Sequence, residues 1–501
     1  MANRVATPGV YVIEKTSFAK SAISLPTAVP AFIGYTEKAV INGKSLINLP
    51  TPVRSLSEFE TLYGMGPKHL FELSTSEEGD FDLEIDNKKY LLGLKSTRFF
   101  LYDSLRFYFA NGGGLAFIVS TGTYSAPDGT VNGVTKSEIL AGLQSIESQP
   151  DPTLIVIPDL MNLTAPSAVD IQQQMLAQSS KLQNRFALLD VFNGNVSRTF
   201  GKDDIVNIFR DKIGTNALAY GAAYYPFVQT SIVDSDELSF TNVINKELLI
   251  EILGIEAAQI NSNQRKIDEI NNELSKIQKE GIDPKGIHKT LKVVCPSYLI
   301  LLDQMGAKLN ILPPSGGVAG LIARVDDTRG VWKAPANEPI LAVTAPVVRL
   351  TNEEQEDLNI CVSGKSVNAI RYFPGEGCLV WGARTLDGNS QDYRYINVRR
   401  TLSYIEQSIK NAARAYVFEP NNSSTWVSIR ASITAFLTGF WQSGGLAGGA
   451  VSDAFEVNVG LGTSMTSEDI IEGMLKVSVK VALLRPAEFI VITFEQRMQT
   501  S

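Results

Sequence analysis

Asp159 and Asp190 each follow an apolar run, TLIVIP and RFALLD, that reads as a buried strand. Carboxylates just past the carboxyl ends of parallel strands stand where open α/β sheets bind ligands and where a general acid or base is placed. The same position suits a carboxylate that caps a helix or faces water, so the pair is a weak enzymatic signal. SGKS at 363–366 resembles the end of a phosphate-binding loop. The glycine required five positions before Gly364 is instead Asn359, and the stretch leads into a strand where the loop needs a helix. The turn STGTYSAPDGT lacks the G-x-G-x-x-G spacing that lets backbone approach a pyrophosphate. His69 and His288 have no metal-spaced partner, and no G-x-S-x-G elbow occurs. Cys295, Cys361 and Cys378 lack metal-ligand spacing and are too few for a disulfide framework, which fits a reducing compartment such as a bacterial cytoplasm. No catalytic residue, cofactor or metal ligand is assigned, and the expectation is a protein that is not an enzyme. A hydrolase-like enzyme using Asp159 or Asp190 is the competing reading.

The elements that must position these residues have a plain pattern. AFIGYT (31–36) reads as a short strand near the N-terminus; from about 98 onward LAFIVS (115–120), TLIVIP (153–158), RFALLD (185–190) and ALAYGAAYY (217–225) are short apolar runs. Helical stretches such as SEILAGLQSIE and DIVNIFRDKI lie between the later ones. Continuous apolar strands separated by helices predict right-handed crossovers and a mostly parallel sheet covered on both faces. In IEAAQINSNQRKIDEINNELSKIQKE, Ile260, Ile267, Ile270, Leu274 and Ile277 fall on one seam, which predicts a short coiled-coil or helical-hairpin arm. That arm docks on its own domain or makes an intersubunit contact. SGGVAGLIARVDDTRGVWKAPAN (315–337) combines a helix start at Ser315, small residues for close packing, and a charged shoulder of Asp326, Asp327 and Arg329. It reads as a stretch for packing and subunit contact.

At 501 residues the chain is too long for one core, and two to four domains are expected. The expected fold class is multidomain α/β and α+β. An N-terminal arm and strands of an inner domain occupy 1–38, and a peripheral segment 39–97. A central α/β domain spans 98–345 with its helical insertion near 245–280. An α+β inner domain covers 346–487 and a linking strand 488–501. In that inner domain VNAIRYFPGEGCLVWGARTL (367–386) is a hairpin, and two amphipathic helices follow it. A net charge of −8 and a pI near 5.2 argue against nucleic-acid binding. No window reaches the roughly 18 apolar residues of a membrane helix, and the first residues do not read as a secretory signal.

TPGVYVIE and AFIGYTEKA near the start, the 315–337 stretch, and LNICV, VWGARTL, YINVRR, VFEPNN, FLTGFWQSGGLAGG and RPAEFIVITFEQ occur in this order along the chain. Together they resemble the tail sheath proteins of contractile phage tails and phage-tail-like injection systems, most strongly over 1–38 and 313–501. The resemblance implies a structural subunit that stacks as a sleeve around an inner tube, stores free energy in an extended state, and contracts to drive the tube through a cell envelope. It implies as partners further copies of the chain, an inner tube protein, baseplate and terminator or cap proteins, and paralogous sheath subunits. Neither nucleic acid nor membrane insertion is expected, and assembly in a bacterial cytoplasm into a phage tail or tail-like particle is. A non-contractile coat protein is the remaining alternative.

Both ends of the chain carry short strands on polar tethers, and such a strand can complete a neighbour's sheet. Val10, Tyr11, Val12 and Ile13 are assigned to one donated strand. Ile490, Val491, Ile492, Thr493 and Phe494 are assigned to the other. Two charged sets are candidates for the tube-facing surface: Arg399, Arg400, Lys410 and Arg414, or alternatively Glu468, Asp469 and Glu472. Local ion pairing is the bland reading of both.

Overall fold

A computed structural model of the chain describes residues 25–76, 80–126, 128–260, 262–279 and 283–489. The described residues divide into two compact units, one spanning Tyr404–Leu484 and the other Pro26–Ser403 with 485–489.

The larger unit is built on a nine-stranded sheet. Its strands in chain order are β1 (Pro30–Thr36), β2 (Thr51–Val53), β3 (Ala116–Thr123), β4 (Leu154–Val156), β5 (Phe186–Asp190), β6 (Gly221–Tyr225), β7 (Glu338–Pro339), β8 (Val367–Phe373) and β9 (Gly377–Trp381). They lie in the order β7-β9-β8-β6-β5-β4-β1-β3-β2. Every pair from β8 through β3 is parallel, and only the outer pairs are antiparallel. The alternation of apolar strand and helix is therefore realised as a doubly covered sheet. Along β1, Ala31, Ile33 and Tyr35 enter one core cluster and Phe32 enters the other, as the two-residue period of a strand requires. On the first face lie Ile139, Leu143, Ile171 and Met175, from helices Lys136–Ser145 and Ala165–Leu182. On the second lie α1 (Leu101–Ala110) and α2 (Ser315–Arg329). The outermost strands are two and three residues long and each carries a proline, Pro339 or Pro52, which blunts the sheet edges.

Two placements differ from expectation. AFIGYT does not serve an inner domain with the chain's end; it is an interior strand of the large sheet, between β4 and β3, every residue of it buried, because a strand apolar on both faces is stable only between two covering layers. The hairpin at 367–386 belongs to the same sheet: Ala223, Tyr224 and Tyr225 of β6 pair in parallel with Val367, Asn368 and Ala369 of β8.

The helical insertion docks within the larger unit. Helices Lys246–Ile260 and Gln264–Ser275 form a hairpin; Leu274, and Ile277 of the turn that follows, are buried with Leu249, Leu253, Ile287 and Leu291. The same cluster takes in Leu73, Tyr90 and Leu92 of a three-stranded antiparallel sheet over Phe71–Ser76, Leu83–Ile85 and Lys88–Leu94. Ile260, at the head of the expected seam, is 56% exposed and takes no part.

In the smaller unit, the end of α3 (Ile396–Arg414) and α4 (Ser423–Gln442) contribute Ile405, Ala412, Ile429, Ile433 and Phe440 as buried residues. Tyr404 packs on the rings of Phe436 and Phe440 with centroids 6.0 and 5.5 Å away. A hairpin of β10 (Phe455–Val459) and β11 (Val477–Val481) completes the unit, paired from Phe455↔Val481 to Val459↔Val477. Among the described residues β10 and β11 have no other strand neighbours, so this sheet has two open edges.

Candidate functional site

Asp159 and Asp190 are fully buried and both work as helix clamps. Asp159 follows β4 and accepts from the amides of Tyr35 at 2.9 Å and Phe100 at 2.5 Å. Burial pushes its carboxyl up to about 6, against amide hydrogen bonds from Tyr35, Phe100 and Leu101 and the charge of Arg98. Asp190 ends β5 and accepts from Ser315 twice, from its amide at 2.9 Å and its hydroxyl at 2.6 Å. Burial raises it to about 7 while both Ser315 hydrogen bonds oppose the shift. The helices they hold are not the next ones in the chain: Asp159 takes the first amides of α1, and Asp190 the first of α2. The carboxyl ends of β4 and β5 are thus occupied by the protein's own helix N-termini, where the dipole favours a carboxylate.

The glycines of 315–337 have their explanation in the same place. A β-carbon on Gly317 would overlap the Phe107 ring, and one on Gly320 the carbonyl oxygen of Tyr108. α2 therefore lies directly on α1, and the small residues exist for that approach. Lys365 of the SGKS stretch is buried with its ammonium on the carbonyl of Arg210, and Ser366 donates to the Asn359 carbonyl at 2.7 Å. Both are internal ties. His69 is buried with Nε2 3.1 Å from the Arg98 guanidinium, and burial, then the Arg98 charge, depress it to about 3. His288 meets the Tyr298 hydroxyl at 2.8 Å.

The charged candidates separate cleanly. Arg399 and Arg400 are 3% and 5% exposed and cannot be a binding face in this unit. Arg399 lies over the rings of Tyr220 and Tyr393, 4.8 and 5.1 Å from their centroids. Arg400 forms a two-pronged pair with Asp326 at 2.5 and 2.9 Å and donates to the Thr27 carbonyl at 3.0 Å. The sequence signs of a basic run conceal this, because a guanidinium is buried whenever a carboxylate and a carbonyl converge on it. Asp469 is likewise internal: it closes a capping box with Thr466 and pairs with Lys476 at 2.6 Å. Lys410, Arg414, Glu468 and Glu472 are exposed on the smaller unit.

Another buried arginine carries no mark in the sequence. Arg384, with 4% of its side chain exposed, pairs with Glu488 at 2.5 Å and again at 2.9 Å. The same carboxylate accepts from Asn359 at 2.8 Å and from the Tyr395 hydroxyl at 3.2 Å. Burial would raise Glu488, but these hydrogen bonds and the Arg384 charge outweigh it and hold the carboxyl low. The strand residues Val10, Tyr11, Val12, Ile13, Ile490, Val491, Ile492, Thr493 and Phe494 lie outside the described residues.

Residues 132–386 match the family described as phage tail sheath protein central domain, and residues 389–497 the phage tail sheath C-terminal domain. The chain belongs to the phage tail sheath family. The sheath chain resembles the tail sheath protein of Vibrio phage KVP40, 27% identical over 168 residues, and that of Enterobacteria phage T4, 26% over 135. These matches cover 33% and 27% of the chain but span only 24% and 20% of the relatives' own lengths. Likeness to solved structures runs the whole length. The sheath complex of an extracellular contractile injection system, PVC, in its contracted state, is 27% identical with a TM-score of 0.59, over 99% of both chains. The contracted helical sheath of the anti-feeding prophage is 26% identical with a TM-score of 0.60, over 99% of this chain and all of the other.

Proposed function

We propose that the chain is the subunit of a contractile sheath that polymerises around an inner tube and shortens to drive the tube through a target envelope. The observation that carries this is the end-to-end likeness to sheath subunits solved in a contracted state. The partners are then further copies of the chain, the tube protein, and baseplate and terminator proteins; the setting is a phage tail or tail-like particle assembled in a bacterial cytoplasm. Firing needs no nucleotide, because an extended sleeve is a kinetically trapped assembly that relaxes irreversibly.

Subunits stay joined during this motion through donated strands at 10–13 and 490–494. The β10–β11 hairpin supports the reading, since its five-residue strands have no other strand neighbour among the described residues, while the large sheet closes its own edges with short proline-bearing strands. Each junction supplies about four to six backbone hydrogen bonds at roughly 1 kcal/mol net apiece. Deletion of 1–13, or of 490–501, should yield a folded chain that no longer polymerises when expressed with or without a tube protein. Intact sleeves in negative-stain micrographs of both deletions would refute strand exchange.

A further inference from the structure

At both ends of its described residues the larger unit is held by two buried arginines that come from one short stretch. Toward the C-terminus, Glu488 stands two residues before the proposed donated strand, inside the socket of Arg384, Asn359 and Tyr395. Toward the N-terminus, the carbonyl of Thr27 accepts from Arg400 at 3.0 Å and from the Thr153 hydroxyl at 2.8 Å, immediately before β1 begins. Arg400 is fixed by Asp326 of α2. Between the two arginines the backbone is cross-tied: Ile396 donates to Ala383 at 2.9 Å, Thr385 to Arg394 at 2.8 Å, and Arg384 bridges Tyr395. Asn368 of β8 clasps Arg384 from both sides, accepting its amide and donating to its carbonyl, each at 2.8 Å. The Asn397 side chain donates to the Trp332 carbonyl at 2.8 Å.

We propose that 383–400 is a common anchor for both arms, with Arg384 and Arg400 as positioning residues that fasten the two arm roots. The proposal rests on the strand-exchange reading. Tension entering a subunit through one donated strand then crosses this cross-tied stretch to the other. Charge-assisted, multiply bonded contacts suit that task, because several hydrogen bonds must break together before the root peels away.

The test uses the full-length chain with Glu488→Ala and Glu488→Gln, sleeves being assembled and challenged with urea below the concentration that unfolds the subunit. Glu488→Ala sleeves should shed subunits about tenfold faster than wild type, with faster amide exchange over 484–489 and unchanged exchange in the large sheet. Glu488→Gln should fall between them, since a carbonyl still accepts from Arg384. Shedding at the wild-type rate, or shedding that merely follows increased exchange across the large sheet, would overturn the anchor. Should Glu488→Ala not fold, Glu488→Gln is read by the same two criteria. If the 1–13 and 490–501 deletions both assemble normally, strand exchange itself fails; if they block assembly while both Glu488 variants match wild type, only the anchor fails.

Discussion

Asp190 is buried between the end of β5 and the first turn of α2, and this makes its titration a reporter of the fold. Its folded-state value of about 7 lies above the ordinary carboxylate range, so the folded chain binds the proton more tightly than the unfolded chain does. Its contribution is greatest at low pH and is lost as pH rises through the folded value. Compared with Asp190→Asn, wild type should therefore lose stability between pH ~4 and ~7, at a slope approaching 1.4 kcal/mol per unit, and run parallel above that. Denaturant unfolding of both proteins across this range is the check; a constant difference would show that Asp190 is not buried as described. The same chemistry explains why the pair looked enzymatic. Position at a strand's carboxyl end is visible in sequence, but which helix N-terminus arrives there is decided by packing.

At the scale of elements, the pairing of α1 with α2 depends on absent side chains. Gly320→Val places a branched group on the Tyr108 carbonyl and the Asn111 β-carbon, neither of which can move without shifting the α1 backbone. It should cost about 1–3 kcal/mol or more in chemical denaturation, whereas Gly439→Val, with nothing near its β-position, should cost about 1 kcal/mol or less. Equal costs would mean that the two helices are not in contact. The helical insertion gives the complementary lesson. Its seam was legible from Ile270 to Ile277, but what covers that seam was not, since a heptad-like spacing fits an intramolecular partner and a neighbouring subunit equally well.

At the scale of the whole molecule, removing Arg399, Arg400 and Asp469 from the candidate tube face leaves Lys410 and Arg414 as one set and Glu468 and Glu472 as the other. None of the four enters an ion pair among the described residues. Surface charges of this kind steer register and encounter more than they hold. Lys410→Glu with Arg414→Glu, and Glu468→Lys with Glu472→Lys, should both leave the subunit folded. The pair that meets the tube should lower tube retention in isolated sleeves several-fold, with the loss dependent on salt. If neither pair changes retention, the tube contact lies elsewhere.

What the sequence by itself determined was the alternation of strand and helix, the doubly covered sheet that follows from it, the family, and the poverty of catalytic constellations. These are local patterns, and hydrophobic period reports them without knowledge of partners. Only the tertiary structure decided that AFIGYT is an interior strand of the large sheet, that Asp159 and Asp190 grip helices distant in sequence, and that Arg384 and Arg400 are internal fasteners. Each of those depends on which groups converge from far along the chain, and a buried arginine reads in one dimension just as an exposed one does.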